Sequence, residues 1–238
     1  MKKAVRQFLF CFFSIVRKDS APKTVFYHDI GMGLTPMGTP VETFWRHMCF
    51  LRPGDQVCFD DGFRGVWDDR ERFKITGIKP IVFLAVGLVG REGYLTWDEA
   101  RQLQNEYGFD FQCHTWSHQT LAGPFNPEVP EPEEGRTEDW FHHELVDSKT
   151  ELEAKLGKKV SSLCFPVGFF SRRVVRRCRE VGYKYVYASY PGNRSNGFIQ
   201  SRCLVQDLSP ITFKAVLNGG MNVFKSRYVR MHEILEES

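Results

Sequence analysis

The amino-acid sequence predicts an α/β fold, a distorted (β/α) barrel of about seven parallel strands. Three observations point there. Short apolar, β-rich runs alternate with helical patterns along the chain, as parallel strands joined by helices do. The 238 residues suffice for one sizeable core. No G-x-G-x-x-G follows the first strand, which weakens the open dinucleotide-binding alternative.

The elements follow in order. Residues 1–20 predict an N-terminal amphipathic helix. Val5, Leu9, Phe12, Phe13 and Val16 share one helical face, with Phe8, Phe10 and Ile15 off it. The basic start followed by "FLFCFFSIV" looks like a secretion signal. However, Arg17 and Lys18 close the run and no A-x-A-like site follows. The run is also far shorter than the roughly 20 residues that span a bilayer. It is expected to pack on the domain, with docking in a membrane interface as the alternative.

Residues 21–238 form the second unit. "TVFYHDI", "QVCFD", "KPIVFLAV", "FDFQCHT", "SSLCFPV" and "YKYVYASY" read as strands, and "SRCLVQD" as a candidate further one. "VETFWRHMCFL", "GVWDDRERFKITG", "SRRVVRRCREVG" and "SPITFKAVLNG" read as helices. Thr96 and Glu99 form a capping box before "WDEARQLQNEYG". A helix is expected from about Phe141 to Leu156, after a long loop over residues 122–140 with four prolines. Such loops often form rims or lids.

Composition excludes some roles. A net charge of +3 is too weak to argue for nucleic acid. Seven cysteines without a C-x-x-C pair predict buried thiols in a reducing compartment, not a disulfide scaffold. A cytoplasmic location follows, with a secreted or periplasmic one disfavoured. The arginines at 172, 173, 176 and 177 predict a solvated basic face. Solvent exposure is also expected for His142, His143, Asp68 and Asp69.

In a parallel barrel the chemistry lies at the C-terminal strand ends. Asp60 and Asp61 end one predicted strand, His114 ends another, and His28 lies near the end of the first. Adjacent carboxylates repel and are rarely buried without partners. "CHTWSH" places His114 and His118 four apart, a spacing that can aim two imidazoles at one point, although such pairs also arise by chance on surface loops. One acid would complete a two-histidine, one-carboxylate metal site and the other would remain free for chemistry.

"FDDGF", then "HTWSH", then "FPVG" at 165–168, resembles the polysaccharide deacetylase family, in order over most of the chain. "FYHDI" matches the permuted poly-N-acetylglucosamine deacetylase type. The resemblance implies a divalent metal, Zn above all with Ni, Co or Fe possible, and hydrolysis of an N-acetyl, less often O-acetyl, group on a glycan. It implies Asp61, His114 and His118 as metal ligands, Asp60 as general base and His28 as general acid. Val167 would supply an oxyanion N–H between Pro166 and Gly168, and Trp116 would meet the sugar or wedge the turn. Many members carry an arginine in the third motif to steady the base, but "LCFPVG" has none. His232, the one histidine after residue 143, sits in the tail. A small non-sugar amide as substrate, or a silent glycan-binding module, are the alternatives. The basic helix would fit peripheral contact with an inner membrane surface.

Overall fold

A computed structural model of the chain describes residues 2–16, 19–31, 37–122, 136–194 and 197–222. The predicted 122–140 lid lies mostly outside these residues, and His232 lies wholly outside them. The elements, in chain order, are α1 (Lys2–Val16), β1 (Thr24–Tyr27), β2 (Asp29–Ile30), β3 (Gly38–Thr39), α2 (Val41–Met48) and β4 (Gln56–Asp61). Then come α3 (Gly65–Asp68), α4 (Arg70–Thr76), β5 (Ile81–Leu84), α5 (Trp97–Tyr107), β6 (Asp110–Cys113) and α6 (Glu138–His142). The chain continues with α7 (Ser148–Leu156), β7 (Ser162–Cys164), α8 (Arg172–Glu180), β8 (Tyr185–Ala188), β9 (Ile199–Ser201), β10 (Cys203–Leu204) and α9 (Pro210–Leu217).

Eight strand segments form one parallel sheet in the order β10-β1-β4-β5-β6-β7-β8-β9. β9 pairs with β8, and β10 pairs with β1. Only Arg202 separates them, so one strand changes partners there and brings the two ends of the sheet together. The result is a nearly closed barrel of seven strands, as the alternating pattern predicts.

Strand side chains alternate between two environments, the period of a pleated strand. Val25, Tyr27, Val57, Phe59, Val82, Leu84, Phe111, Leu163 and Val186 belong to the large core beneath the helices. The intervening Phe26, Cys58, Ile81, Phe83, Cys164 and Tyr187 form a second cluster inside the barrel. This phase decides the site: Asp60 continues the inward series of Cys58.

Local expectations hold with adjustments. Thr96 accepts from the Glu99 amide while Glu99 accepts from the Thr96 amide, completing the capping box. The segment 65–76 is two helices, broken at Asp69. The predicted helix over 141–156 begins earlier, at Glu138, and contains a π-turn over His143–Asp147. On α8, Val174, Val175 and Cys178 are buried and the arginines face outward, two of them onto Glu138.

The N-terminal helix packs differently from its expected stripe. Phe10, off that stripe, is its buried anchor, whereas Val5 and Phe12 are exposed with Phe8 and Ile15. The cause is a close crossing at Gly220, where any Cβ would lie 2.2 Å from the Phe10 carbonyl oxygen. That contact chooses the rotation of α1 rather than the count of apolar residues. Among the described residues, no helix is long and apolar enough to cross a membrane.

Candidate active site

Asp60 and Asp61 end β4, and both are almost wholly buried. Asp60 points into the barrel. By simple alternation Asp61 would face the helices, but its backbone is left-handed, with φ 69°. Such a φ is uncommon for a residue with a side chain and marks a position held by its surroundings. The same feature recurs at Thr115 (φ 67°), His118 (φ 59°) and Val167 (φ 60°). These four are all the non-glycine residues with positive φ among the described ones, and each lies in one of the three sequence motifs. Backbone strain is thus concentrated where β4, β6 and β7 end.

The turns bring Asp61, His114 and His118 together. Asp61 Oδ1 lies 2.9 Å from His118 Nε2 and 3.3 Å from His114 Nε2. Yet Oδ1 is buried and accepts no hydrogen bond of acceptable geometry. Burial raises the Asp61 carboxyl, and the two imidazoles more than offset that, holding it well below the usual range. Three donor atoms within 4.8 Å of one another, one of them an orphaned carboxylate oxygen, fit a divalent first-row metal. His114 Nδ1 is 2.8 Å from the Cys164 carbonyl oxygen, so its Nδ1–H donates there and Nε2 keeps its lone pair for a ligand.

Glu144, which no motif announced, supports this loop. Its Oε2 accepts from the backbone N–H groups of Trp116 and Ser117, each at 3.0 Å, and it is 1 % exposed. It sits in the π-turn, a bulge type frequent at functional sites. Trp116 lies between Gly87, whose N–H donates to its carbonyl, and the ring of His143, 4.4 Å away. Its indole is half-buried. His143 is half-buried by that contact and not simply solvated as expected, while His142 is exposed.

The third motif lacks an arginine, but the barrel supplies one from elsewhere. Arg202, at the strand crossing, reaches Asp60 with Nη1 to Oδ1 at 2.6 Å and Nη2 to Oδ2 at 2.8 Å. Its guanidinium lies over the rings of Phe26 and Phe83 and donates to Cys164 Sγ. Burial raises the Asp60 carboxyl, but the charge and hydrogen bonds of Arg202, together with His114 and His28, more than offset it, and the net shift is down. Asp60 is therefore an anion although almost wholly buried. Burial pushes the Cys58 thiol up to about 12 and the Cys164 thiol well above its ordinary value, so both are neutral.

His28 follows β1 and is half-buried, with Nδ1 2.7 Å from Gln206 Oε1. Neighbouring Asp29 ties β2 to the start of α3, accepting from the amides of Ile30 and Gly65. Burial raises its carboxyl to about 6. At the end of β7, Val167 is 61 % exposed, and none of the described residues accepts from its amide. A Cβ on the next residue, Gly168, would lie 2.5 Å from Ser189 Cβ, so the turn approaches β8 as no other residue allows.

The structure thus brings together Asp61, His114 and His118, and it couples Asp60 electrostatically to both His28 and His114. Missed by sequence reasoning were Arg202, Glu144 and Gln206. The one available signal was a charged residue inside the short apolar run "SRCLV".

Comparisons with known proteins give a family and several similar folds. Residues 56–186 match the polysaccharide deacetylase family. IcaB from Ammonifex degensii superposes with a TM-score of 0.71 at 19% identity, over 84% of this chain and 98% of that one. The Streptococcus pyogenes deacetylase PplD, solved with acetate, gives 0.68 at 17% identity, over 83% and 98%. A de-N-acetylase from Aggregatibacter actinomycetemcomitans gives 0.68 at 14% identity, over 82% and 98%. No curated protein sequence matched the chain.

Proposed function

The chain belongs to the polysaccharide deacetylase family, and from that membership together with the site geometry we propose that it is a metal-dependent deacetylase of an N-acetylated sugar. The substrate class is a polysaccharide, an oligosaccharide or a glycolipid precursor. One observation carries the metal: the buried Asp61 oxygen beside two imidazole nitrogens without a hydrogen bond. Zn²⁺ suits this donor set, and Ni, Co or Fe would also fit.

Asp61, His114 and His118 would hold the ion. When bound, it supplies Lewis acidity that makes water a nucleophile near neutral pH. The remaining steps belong to the chain. Asp60, kept ionised by Arg202, takes a proton from the attacking water as the water oxygen bonds to the acetyl carbon. The Val167 amide donates to the developing oxyanion. His28 gives a proton to the sugar nitrogen as the C–N bond breaks, leaving acetate and a free amine. Pro166 and Gly168 shape the turn that presents the Val167 amide, and Trp116 fixes the ligand loop from behind.

Acetate release from N-acetylated oligosaccharides tests this reading. Activity lost in both Asp60→Asn and His114→Ala supports it. Release from small non-sugar amides alone would favour the amidohydrolase alternative. Glycan binding without turnover in the metal-loaded chain would favour a silent module.

We also propose that α1 contacts an anionic membrane surface, with the chain on the cytoplasmic side. Val5, Phe8, Phe12 and Ile15 are exposed along one side of a helix that contains Lys2, Lys3 and Arg6 and no acid. Co-sedimentation with anionic liposomes that is lost on deleting residues 1–18 would support this contact, and its absence in the full chain would refute it.

A further inference from the structure

We propose that Gln206 is the positioning residue of His28, so that the closing strand sets both proton-transfer groups of the site. The catalytic part of this rests on the reading of His28 as the acid. The strand that changes partners at Arg202 carries both contacts. Arg202 holds Asp60 through two hydrogen bonds, and four residues later Gln206 Oε1 lies 2.7 Å from His28 Nδ1. The two groups are placed by the same ladder. Phe26 pairs with Leu204, and the Val205 amide donates to the Phe26 carbonyl. That register puts Gln206 beside His28, two residues after Phe26.

The chemistry of the contact is specific. An amide oxygen only accepts, so His28 Nδ1 carries the hydrogen and Nε2 is the nitrogen left for the site. The Gln206 backbone is itself fixed, because buried Thr39 donates through Oγ1 to its main-chain carbonyl at 3.2 Å. The Phe26 ring, 5.9 Å from the imidazole, flanks it on the strand side. Orientation and tautomer are thereby set without charge. Among the described residues, Asp60 from β4, with Arg202 paired to it, and Asp29 from β2 are charged groups coupled to the imidazole. A carboxylate at 206 would add a negative charge at hydrogen-bond distance, stabilising the imidazolium and weakening it as a proton donor.

The test combines ¹⁵N NMR of the imidazole with pH–rate profiles on the full chain loaded with Zn²⁺. The Nδ1-protonated tautomer is expected for His28 in the native protein. Gln206→Leu should give mixed tautomers and a kcat at least about 10-fold lower at unchanged KM. Gln206→Glu, which keeps the shape, should retain the tautomer and move the basic limb of kcat up by about one pH unit or more. Should Gln206→Leu fail to fold, Gln206→Glu decides alone. An Nε2-protonated tautomer in the native protein, or a basic limb unmoved in Gln206→Glu, would overturn the proposal. His28→Ala at full activity, beside a His28 tautomer that Gln206→Leu still disturbs in the otherwise native chain, would remove His28 from the reaction and overturn the catalytic part.

Discussion

Arg202 and Asp60, 142 residues apart in sequence, meet inside the barrel through a two-pronged ion pair of 2.6 and 2.8 Å, both side chains nearly inaccessible to solvent. The pair resolves the difficulty of an acid buried beside a second acid. Desolvation would otherwise protonate Asp60, and a protonated carboxyl cannot serve as a base.

Removing the arginine should therefore do two things. Arg202→Met leaves a buried carboxyl unpaired and should cost roughly 3–5 kcal/mol of stability. The Asp60 carboxyl should rise once burial is no longer countered by the Arg202 charge, moving the acid limb of the pH–rate profile upward. The sign follows from linkage. A carboxyl held low in the fold contributes stability above its unfolded value and loses it as pH falls through the folded value. Urea denaturation at two pH values, beside kcat against pH, checks both. An unchanged acid limb in a folded variant would refute the role.

Glu144 acts through the backbone of the ligand loop. Glu144→Leu removes the acceptor for two backbone amides of the ligand loop, and metal affinity should fall by about 10–100-fold, the usual cost of losing a supporting contact. Glu144→Gln retains an acceptor oxygen and should lose much less. Competition with a chelator reads the affinity without any need for turnover.

Val167 separates backbone from side chain. Val167→Gly relieves the left-handed strain and keeps the amide, so activity should persist while stability changes by only about 1 kcal/mol. Replacing the Pro166–Val167 amide by an ester, with the α-hydroxy analogue of valine at 167, deletes the N–H without imposing a new φ and should lower kcat by about 10²–10³-fold. Equal activity in both variants would remove the oxyanion role.

Asp29 predicts a pH dependence of opposite sign to that of Asp60. Its carboxyl is raised to about 6 from the usual 3.8, chiefly by burial. The fold therefore favours the protonated form, and stability falls as pH rises from about 4 to 6, by roughly 2–3 kcal/mol. Asp29→Asn keeps the acceptor oxygen for the Ile30 and Gly65 amides and should flatten that dependence. Thermal melts across this pH range measure it.

The three motifs were legible in the sequence because each is contiguous and ends a strand whose apolar run is plain. "FDDGF" and "HTWSH" carry their chemistry within a few residues, whereas the left-handed turn that brings Asp61 to the histidines was not legible, because alternation along β4 would send it towards the helices. Arg202, Glu144 and Gln206 were not legible, because each acts across the barrel or from a helix on a residue far away in sequence. The arginine missing from "LCFPVG" was supplied by a strand with no motif of its own. The rotation of α1 was misread because the glycine crossing at Gly220 decides it, not the apolar stripe.

The central claim is the metal site, and metal content per chain tests it most directly. The protein as isolated, or after incubation with Zn²⁺, should hold about one divalent ion, lost in Asp61→Asn and in His114→Ala although both remain folded. No bound metal under excess Zn²⁺, or equal binding in both variants, would contradict the account.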